Sequence, residues 1–456
     1  MTLGRWPKVE ELREKLNGKA KAEKTYRFYL LYDKVYRKDF LEAAYAKCRE
    51  NDGAPGVDGE RFEDIEAYGV ERYLGELAQE LKEKRYQPGP VRRVMIPKEN
   101  QPGKFRPLGI PNIRDRIVQQ AVVLLLSPIF EADFPEEMYG YREGRSAQDA
   151  VRKVQEGLRN RQRHVVDADL SKYFDRIPHE QLLRSVERRI ADRQILWLIR
   201  AWLKVPVHET NAQGRVEVKG GAKSKEGTPQ GGVISPLLAN IYFRRLLVAW
   251  EQRGYGAKYG ARIVNYADDF VILCRQDASG AQEAARRLVN GIGLALNEEK
   301  TRAVNAWETP FNFLGFTFGQ QHRRGGKRYL GKHASVKNTT RYREKIRALT
   351  ARDQTWKRPE EVVTRINQMT TGFWQYFRIG AGSKISNDLD KFVRQRVFLW
   401  AQRKYKRPRH SRNSRQAHAH RRRTIHCVVK QLIRGRDVVR AYQGGPLFCA
   451  ARSSAQ

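Results

Sequence analysis

RIVNYADDFVILC, residues 262–274, is the stretch that decides the fold of this chain. Two runs rich in β-branched and aromatic residues flank a short turn, and this pattern predicts a β-hairpin. Asp268 and Asp269 stand in that turn. Aspartate favours turns in general, but flanks this apolar place the pair at the edge of a core instead of on a free surface. We therefore expect two carboxylates at the tip of a buried hairpin.

A second acid follows a second strand-like run. VVDADL, residues 165–170, leads into SKYFD, residues 171–175, before a turn and a helix that starts near His179. If this strand and the hairpin are neighbours in one sheet, Asp169 and Asp268 converge at one end of it. Such a pair suits Mg²⁺, which accepts one or two carboxylates and fills its octahedron with water and substrate phosphates. Two ions about 3.5–4 Å apart would bind the attacking and leaving oxygens of a nucleotidyl transfer.

The charge of the chain predicts a polyanionic partner. Its 456 residues, 40% of them hydrophobic, suffice for about three domains of roughly 150 residues with a substantial core. A formal net charge of +37 and a sequence pI near 10.2 exceed what solubility requires, and nucleic acid is the leading candidate. The arginine-rich segment after about Pro408 carries a single acid, and two interpretations stay open for it: a solvated tail or a phosphate contact.

The sequence argues against a membrane, secreted or zinc-binding protein. The longest apolar run, residues 117–126, contains two glutamines and falls short of the ~20 residues of a spanning helix. The N-terminus is charged and lacks the apolar stretch of a signal peptide, so we expect a cytoplasmic protein with no membrane partner. The histidines between His410 and His426 match no zinc-ligand spacing. The cysteines form no CxxC pair, which predicts reduced thiols: Cys48, Cys274, Cys427 and Cys449.

The order of patterns along the chain predicts an α+β protein followed by helices. Residues 1 to about 50 have a helical pattern that ends at a Gly-, Pro- and Asn/Asp-rich loop, residues 51–59. Residues 96–111 indicate two short strands joined by a polar turn. From 163 to about 318, short β-rich runs alternate with amphipathic helices. Beyond Lys332 apolar residues recur at helical spacing, and we assign them to the core: Val363, Ile366, Met369 or Thr370, Phe373, Phe377, Leu389, Phe392, Arg396 or Val397, and Trp400.

Seven ordered blocks resemble motifs of the reverse transcriptases encoded in bacterial group II introns. Tyr266 to Asp269 matches the YxDD box, and GTPQGGVISPLLANIY, residues 227–242, looks like the PQG block in the fuller form typical of these proteins. The matches cover roughly residues 30 to 407. The other five blocks are the fingers motif at 92–111, the first carboxylate motif at 167–175, the lysine motif at 297–301, the FLG block at 313–316 and a maturase X-like stretch at 367–394.

The resemblance implies a right-hand polymerase of the α+β class. Its fingers and palm, with an antiparallel palm sheet and helices, would be followed by an α-helical thumb, the maturase X domain. We predict four regions: an N-terminal helical extension (1–60), fingers and palm (61–320), thumb (330–407) and a basic nucleic-acid-binding tail (408–456). In that tail, the arginines predicted to contact nucleic acid are Arg409, Arg412, Arg415, Arg421, Arg422 and Arg423.

The same resemblance implies a catalytic metal site. Asp169 and Asp268 would ligate two magnesium ions together with the backbone carbonyl of Leu170, and Asp269 would complete the charge of the site. All three aspartates are therefore predicted to be catalytic.

The resemblance also predicts a binding site for the deoxynucleoside triphosphate. Lys98 and Arg106 would grip the triphosphate, unless they are merely surface cations of a basic protein, and Lys300 would lie near the phosphates. Phe174 would be the steric gate that clashes with a ribose 2′-hydroxyl, or else a core aromatic. Gln230 would line the nucleotide and template pocket, where the two glycines that follow it let the backbone approach closely.

The function implied is RNA-directed DNA polymerisation by a protein that binds a structured group II intron RNA, assists its splicing and copies it during retrohoming. Its partners would be intron and template RNA, a DNA primer and target, and deoxynucleoside triphosphates. Without CxxC pairs, the chain resembles the members that lack an HNH endonuclease domain. Two alternatives stay open. One is a splicing-only RNA-binding maturase, against which the intact carboxylates argue, and the other is a reverse transcriptase recruited to phage defence or a CRISPR-linked system.

Overall fold

A computed structural model of the protein describes residues 6–97, 103, 105–211, 213–322, 325–380, 383–405, 415–434 and 437–438. The chain forms two compact units. The first comprises residues 1–146 and 168–302, and the second comprises residues 147–167 and 303–456. Lys98, Arg409 and Arg412, for which roles are predicted, lie outside the described residues.

Helices account for more residues than strands in both units. In chain order the α-helices are α1 (Pro7–Ala22), α2 (Tyr32–Val35), α3 (Lys38–Glu50), α4 (Phe62–Tyr68), α5 (Val70–Lys82), α6 (Ile113–Glu131), α7 (Ala147–Arg159), α8 (Tyr173–Arg176), α9 (His179–Glu187), α10 (Arg193–Leu203), α11 (Ser235–Gln252), α12 (Tyr255–Lys258), α13 (Ala278–Gly291), α14 (Val336–Leu349), α15 (Pro359–Phe377), α16 (Ser383–Lys404) and α17 (Arg415–Lys430).

The strands form three sheets. They are β1 (Val91–Pro97), β2 (Phe105–Ile110), β3 (His164–Asp169), β4 (Pro206–Thr210), β5 (Val216–Gly220), β6 (Arg262–Tyr266), β7 (Asp269–Cys274), β8 (Arg302–Asn305), β9 (Phe311–Phe313), β10 (Phe316–His322) and β11 (Arg328–Ala334). The sheet orders are β2-β1-β4-β5, β6-β7-β3-β8 and β11-β10-β9. Most pairs are antiparallel, whereas β1 and β4 are parallel. The α+β class that the sequence predicts is thus confirmed.

Helix α6 is buried on nearly every side in the first unit. It contains the longest apolar run of the sequence. Helices α1 and α3, which lie in the region predicted to be helical, pack against it. Apolar residues of α6 are buried on several of its faces, and the surrounding helices supply the enclosed environment that they need. Of the helices that the structure describes, none combines the length and apolarity needed to cross a membrane.

The two predicted short strands around residue 100 form a hairpin. β1 and β2 are antiparallel, with Ile96 opposite Arg106 and Arg93 opposite Gly109. The prediction of two strands is confirmed, and Arg106 lies on β2 with its side chain exposed. β4 extends the sheet on the other side of β1.

The hairpin at residues 262–274 forms as predicted. β6 pairs with β7 so that Tyr266 stands opposite Asp269, and only Ala267 and Asp268 lie between the strands. Both strands are buried because their side chains are largely apolar: Val264, Val271 and Ile272 have no exposed surface. β7 is the neighbour of β3 in the sheet, which confirms the condition for Asp169 and Asp268 to converge.

The second unit has an aromatic core. The rings of Phe311 and Phe318 stack at 5.1 Å between β9 and β10, and Phe316 contacts Phe377 of α15 at 4.9 Å. Tyr376 donates a hydrogen bond from its hydroxyl to the Leu314 carbonyl, which ties the FLG block to α15.

The predicted core stripes of α15 and α16 are confirmed except at two aromatic positions. Val363, Ile366, Thr370, Phe377, Leu389, Val397 and Trp400 are buried. Phe373 and Phe392 are only half-buried, and the adjacent Trp374 and Val393 fill the core in their place. Phe392 lies instead beneath the guanidinium groups of Arg343 and Arg347, at 5.8 and 5.5 Å, so its ring serves a cation–π contact.

Part of the predicted basic tail is a packed helix. In and just after α17, Ile425, Val428 and Leu432 are buried, and the side chain of Asn367 exchanges hydrogen bonds with the backbone of Gln431 and Ile433. A fully solvated tail therefore does not describe residues 423–433, because they contribute apolar side chains to the second unit. Arg415, Arg421 and Arg422 belong to α17, and Arg423 is exposed on it.

Candidate active site

A buried asparagine holds the tip of the β6–β7 hairpin. Ala267 has a φ of +59°, and its carbonyl accepts a hydrogen bond from Asn265 Nδ2 at 2.7 Å. Asn265 has no exposed surface and also reaches the carbonyl of Asp269 at 3.4 Å. An amide buried in an apolar strand needs such partners to offset its desolvation. Asn265 was not predicted as a site residue, although a lone polar residue within an apolar strand is the signal that indicates one.

Gly140 packs against the backbone of the same turn. A Cβ atom on Gly140 would overlap the backbone nitrogen of Ala267, so glycine alone allows this approach. The Gly140 carbonyl accepts a hydrogen bond at 2.8 Å from the side chain of Asn240 on α11, which is 2% exposed. Gly140 and Asn240 thus fix the position of the acidic turn, and neither was predicted to do so.

Asp169 ends β3 and is held by the lysine block. Its Oδ2 accepts hydrogen bonds from Asn297 Nδ2 at 3.1 Å and from Lys300 Nζ at 2.9 Å. The backbone carbonyl of Asp169 accepts a further hydrogen bond, from the backbone N–H of Asn297 at 2.8 Å. Lys300 was expected near the phosphates of a nucleotide, and in this structure its ammonium group forms an ion pair with Asp169 instead. The contact is open to solvent, because the Lys300 side chain is 62% exposed.

Asp169 and Asp268 lie within electrostatic reach of each other. Burial raises the pKa of the Asp268 carboxyl, and the charge of Asp169 raises it further, whereas the Asp268 backbone N–H and Lys300 act in the opposite direction. Like charges that act on each other favour either a proton or a cation between them. Leu170, which follows Asp169, is buried, and Asp269 is exposed at the start of β7. Within the described part of the chain, no group of three or more His, Cys, Asp or Glu side chains forms a metal-binding cluster.

Two hydrogen bonds join the segment that contains Phe174 to the segment that contains Gln230. The Phe174 carbonyl accepts from the amide of Thr228 at 2.7 Å, and Gln230 Nε2 donates to Asp175 Oδ1 at 3.1 Å. The Phe174 ring is half-buried and meets the ring of Tyr173 edge-on, with centroids 5.5 Å apart. A ring that keeps an open face suits a contact with a ligand, because a core aromatic would be enclosed on all sides.

The glycine after Gln230 brings the PQG block against β2. Gly231 has a φ of +112°, and a Cβ atom there would overlap the Gly109 carbonyl oxygen. The Gly109 amide donates to the Gln230 carbonyl at 2.5 Å. The close approach that the glycine allows is therefore to strand β2, which carries Arg106, and this contact couples the two predicted nucleotide-binding segments.

Tyr141 is a further residue of this site that the sequence reasoning missed. It has a φ of +56° and is 54% exposed, an unusual conformation for an aromatic residue. Burial raises the pKa of its hydroxyl, the charges of Asp268 and Asp269 raise it further, and Arg106 opposes them. Its hydroxyl therefore lies within electrostatic reach of both the acidic turn and Arg106. Strain of this kind is found where the surrounding structure holds a side chain for a task.

Two family models name the class of protein to which this fold and candidate site belong. The model described as "Reverse transcriptase (RNA-dependent DNA polymerase)" matches residues 96–318, which include the three aspartates. The model described as "Group II intron, maturase-specific domain" matches residues 339–423.

Curated relatives agree with these matches. Protein YkfC of Escherichia coli is 34% identical over 357 residues, which are 70% of this chain and 90% of YkfC. Group II intron-encoded protein LtrA of Lactococcus lactis is 35% identical over 219 residues, 48% of this chain and 35% of LtrA. A putative COX1/OXI3 intron 1 protein of Saccharomyces cerevisiae is 27% identical over 360 residues, 66% of this chain and 41% of that protein. The chain belongs to the group II intron-encoded reverse transcriptase/maturase family, and its reverse transcriptase domain is that of an RNA-directed DNA polymerase.

Proposed function

We propose that this protein binds a structured group II intron RNA, assists its splicing and copies it into DNA during retrohoming. The observation that carries the proposal is that β3, which ends at Asp169, neighbours β7 of the hairpin that carries Asp268, with the two carboxylates within electrostatic reach of each other. The segments of Phe174 and Gln230, joined by hydrogen bonds, support it. The maturase-specific match and the intron-encoded relatives support the RNA partner, and a net charge of +37 suits it. Intron and template RNA, a DNA primer or target and deoxynucleoside triphosphates are the proposed partners.

The right-hand arrangement is part of the proposal. The β1–β2 hairpin would belong to the fingers, the sheet of order β6-β7-β3-β8 to the palm, and α14 to α16 to the thumb. The boundaries we propose remain 1–60, 61–320, 330–407 and 408–456. The maturase-specific match extends to residue 423, and α17 packs on α15 and α16, so α17 would function together with the thumb.

The donor set at the acidic turn suits magnesium. Asp169 and Asp268 supply two carboxylates, Leu170 supplies a backbone carbonyl, and Asp269 adds charge at the start of β7. A pair of Mg²⁺ ions held there would stabilise the attacking 3′-hydroxyl and the departing pyrophosphate. Asn265 and Gly140 would keep the turn in place so that the carboxylates need not reorganise during the reaction.

The remaining residues would bind and select the nucleotide. Arg106, with Lys98, would hold the triphosphate, and Gln230 would lie against the base or template. Phe174 would exclude a 2′-hydroxyl with its half-buried ring. Lys300 would neutralise Asp169 and move its exposed ammonium group to the phosphates when a nucleotide binds.

Primer extension on an RNA template tests the proposal. Asp268→Ala should abolish extension in the presence of Mg²⁺ and leave RNA affinity nearly unchanged, because RNA affinity comes from dispersed cationic contacts. Asp388→Ala, which removes an exposed carboxylate on α16, is the matched control and should extend like the wild type. Substantial synthesis by Asp268→Ala would refute the site. A wild-type protein that binds intron RNA and promotes splicing but extends no primer would favour the splicing-only alternative.

A further inference from the structure

An arginine-lined cavity of about 290 Å³ opens in the first unit. It lies where residues at the ends of α6 and α9 meet the second part of α11. Helix α11 rises about 25 Å from Ser235 to Gln252, and the cavity is lined by its residues from Ile241 onward, away from the PQG block at its start. The charged residues that line the cavity, among those the structure describes, are five arginines and one acid: Arg184, Arg188, Arg189, Arg244, Arg245 and Asp133.

Arg189 is the buried centre of this cluster. It is 2% exposed, and its terminal nitrogens donate to the backbone carbonyls of Glu23, Lys24 and Ala20. Its Nε is buried and has no hydrogen-bond partner among the residues that the structure describes, although it lies 3.3 Å from Asp133 Oδ2. A buried N–H group without a partner costs free energy, and a ligand atom in the cavity could supply one.

Two further arginines are fixed in position by the protein. Arg244 Nε donates to the Asp133 backbone carbonyl at 2.8 Å. Arg245 donates to the Gln181 carbonyl and to Ser185 Oγ, each at 3.3 Å, and its guanidinium lies over the ring of Tyr242. Arginines held in this way keep their remaining N–H groups oriented without further loss of conformational freedom.

The single acid leaves the positive charge of the cavity unbalanced. The pKa of Arg244 is lowered by burial in the first place and also by repulsion from Arg188 and Arg189, and Asp133 only partly opposes this. Burial raises the pKa of the Asp133 carboxyl even though these arginines surround it. An added anion would therefore relieve the mutual repulsion of the arginines.

We propose that this cavity binds a phosphate group, supplied either by the backbone of an RNA or by a free phosphoryl compound. Planar guanidinium groups form paired, charge-assisted hydrogen bonds with phosphate oxygens, and several arginines around one concave site match the multiple charge of such a group. Phosphate binding in this cavity would not depend on polymerase activity.

Calorimetric titration of inorganic pyrophosphate into the full chain, without divalent metal, tests the proposal. Arg188→Gln should weaken binding about tenfold, because it removes a charged hydrogen-bond donor. Arg188 is exposed and its side chain forms no hydrogen bond within the described residues, so Arg188→Gln should leave the fold intact. Arg287→Gln, an exposed arginine on α13, is the matched control and should bind like the wild type. Asp133→Asn should bind more tightly, since it removes the competing acid.

Competition with a structured RNA then identifies the source of the phosphate. Displacement of pyrophosphate by the RNA from the wild type, together with weaker RNA binding by Arg188→Gln, would assign the cavity to backbone phosphate. Undisturbed pyrophosphate binding would assign it to a free phosphoryl compound. No pyrophosphate binding by the wild type, or equal affinities for wild type, Arg188→Gln and Arg287→Gln, would overturn the proposal and leave the polymerase assignment untouched.

Discussion

Asn265 Nδ2 lies 2.7 Å from the carbonyl oxygen of Ala267 and closes the turn that carries Asp268. Asn265→Leu keeps the number and branching of the side-chain heavy atoms but leaves this buried carbonyl without its partner. We expect kcat for primer extension to fall at least about tenfold and the free energy of unfolding to fall by about 1–3 kcal/mol. Asn290→Leu, at an exposed position of α13, should change neither quantity. An unchanged kcat for Asn265→Leu would show that the turn does not need this hydrogen bond.

Gly140 offers a second test of the support behind the turn. Gly140→Ala places a methyl group where it overlaps the Ala267 backbone, so the turn or the 138–141 segment has to move. We expect a loss of kcat with a smaller change in the KM for deoxynucleotide, because the carboxylates are displaced from their working positions. Gly75→Ala is the control: nothing lies within 4 Å of its added Cβ, and alanine in helix α5 should stabilise the protein by up to about 1 kcal/mol. Equal activity of both variants would contradict the expectation.

The sequence predicts the carboxylates and misses their supports, and the reason is the range of the contacts. Asp169 and Asp268 follow apolar strands, so a local pattern identifies them. Gly140 touches Ala267, and Asn240 bonds to Gly140, through contacts that span 100 residues or more of the chain. Such pairings depend on how α11 and the sheet pack, and no local pattern encodes that.

Side-chain charge explains two other differences from the sequence-based expectations. Lys300 pairs with Asp169 because opposite charges attract, and the sequence could suggest only that Lys300 lies near phosphates. The basic segment after Pro408 looked like a tail because its arginines dominate its composition. Its apolar residues Ile425, Val428 and Leu432 recur at helical spacing, and they anchor α17.

Phe174 should control sugar selection. We expect Phe174→Val to raise incorporation of ribonucleotides relative to deoxyribonucleotides, because a smaller side chain would leave room for a 2′-hydroxyl. Single-nucleotide insertion with matched ribo- and deoxyribonucleoside triphosphates measures the ratio. Phe398→Val, at an exposed aromatic of α16, should keep the wild-type ratio. If Phe174→Val also keeps it, the ring is a core residue and not a gate.

Arg423 allows the proposed nucleic-acid contact of the basic segment to be tested without truncation. Removing everything after Arg407 would also remove the buried residues of α17, whereas Arg423→Gln changes only an exposed charge. If Arg423 touches a phosphate, the slope of log affinity against log salt should become shallower by about 0.7 to 0.9. Titrations on intron RNA and on duplex DNA at several salt concentrations measure this slope. A slope equal to that of the wild type on both substrates would exclude Arg423 as a contact.

If Asp169 and Asp268 together hold divalent metal, an ion bound there lies close to the backbone of both segments. Iron(II) can replace magnesium at oxygen-rich sites, and with ascorbate and peroxide it generates hydroxyl radicals that cleave the backbone close to the bound ion. Mass spectrometry of the fragments should locate cuts both near residues 169–170 and near residues 267–269, and excess Mg²⁺ should suppress both. The cuts should persist in Asp388→Asn and disappear from both segments in Asp268→Asn. Cleavage confined to one segment, or cleavage that Asp268→Asn leaves unchanged, would contradict a shared metal site.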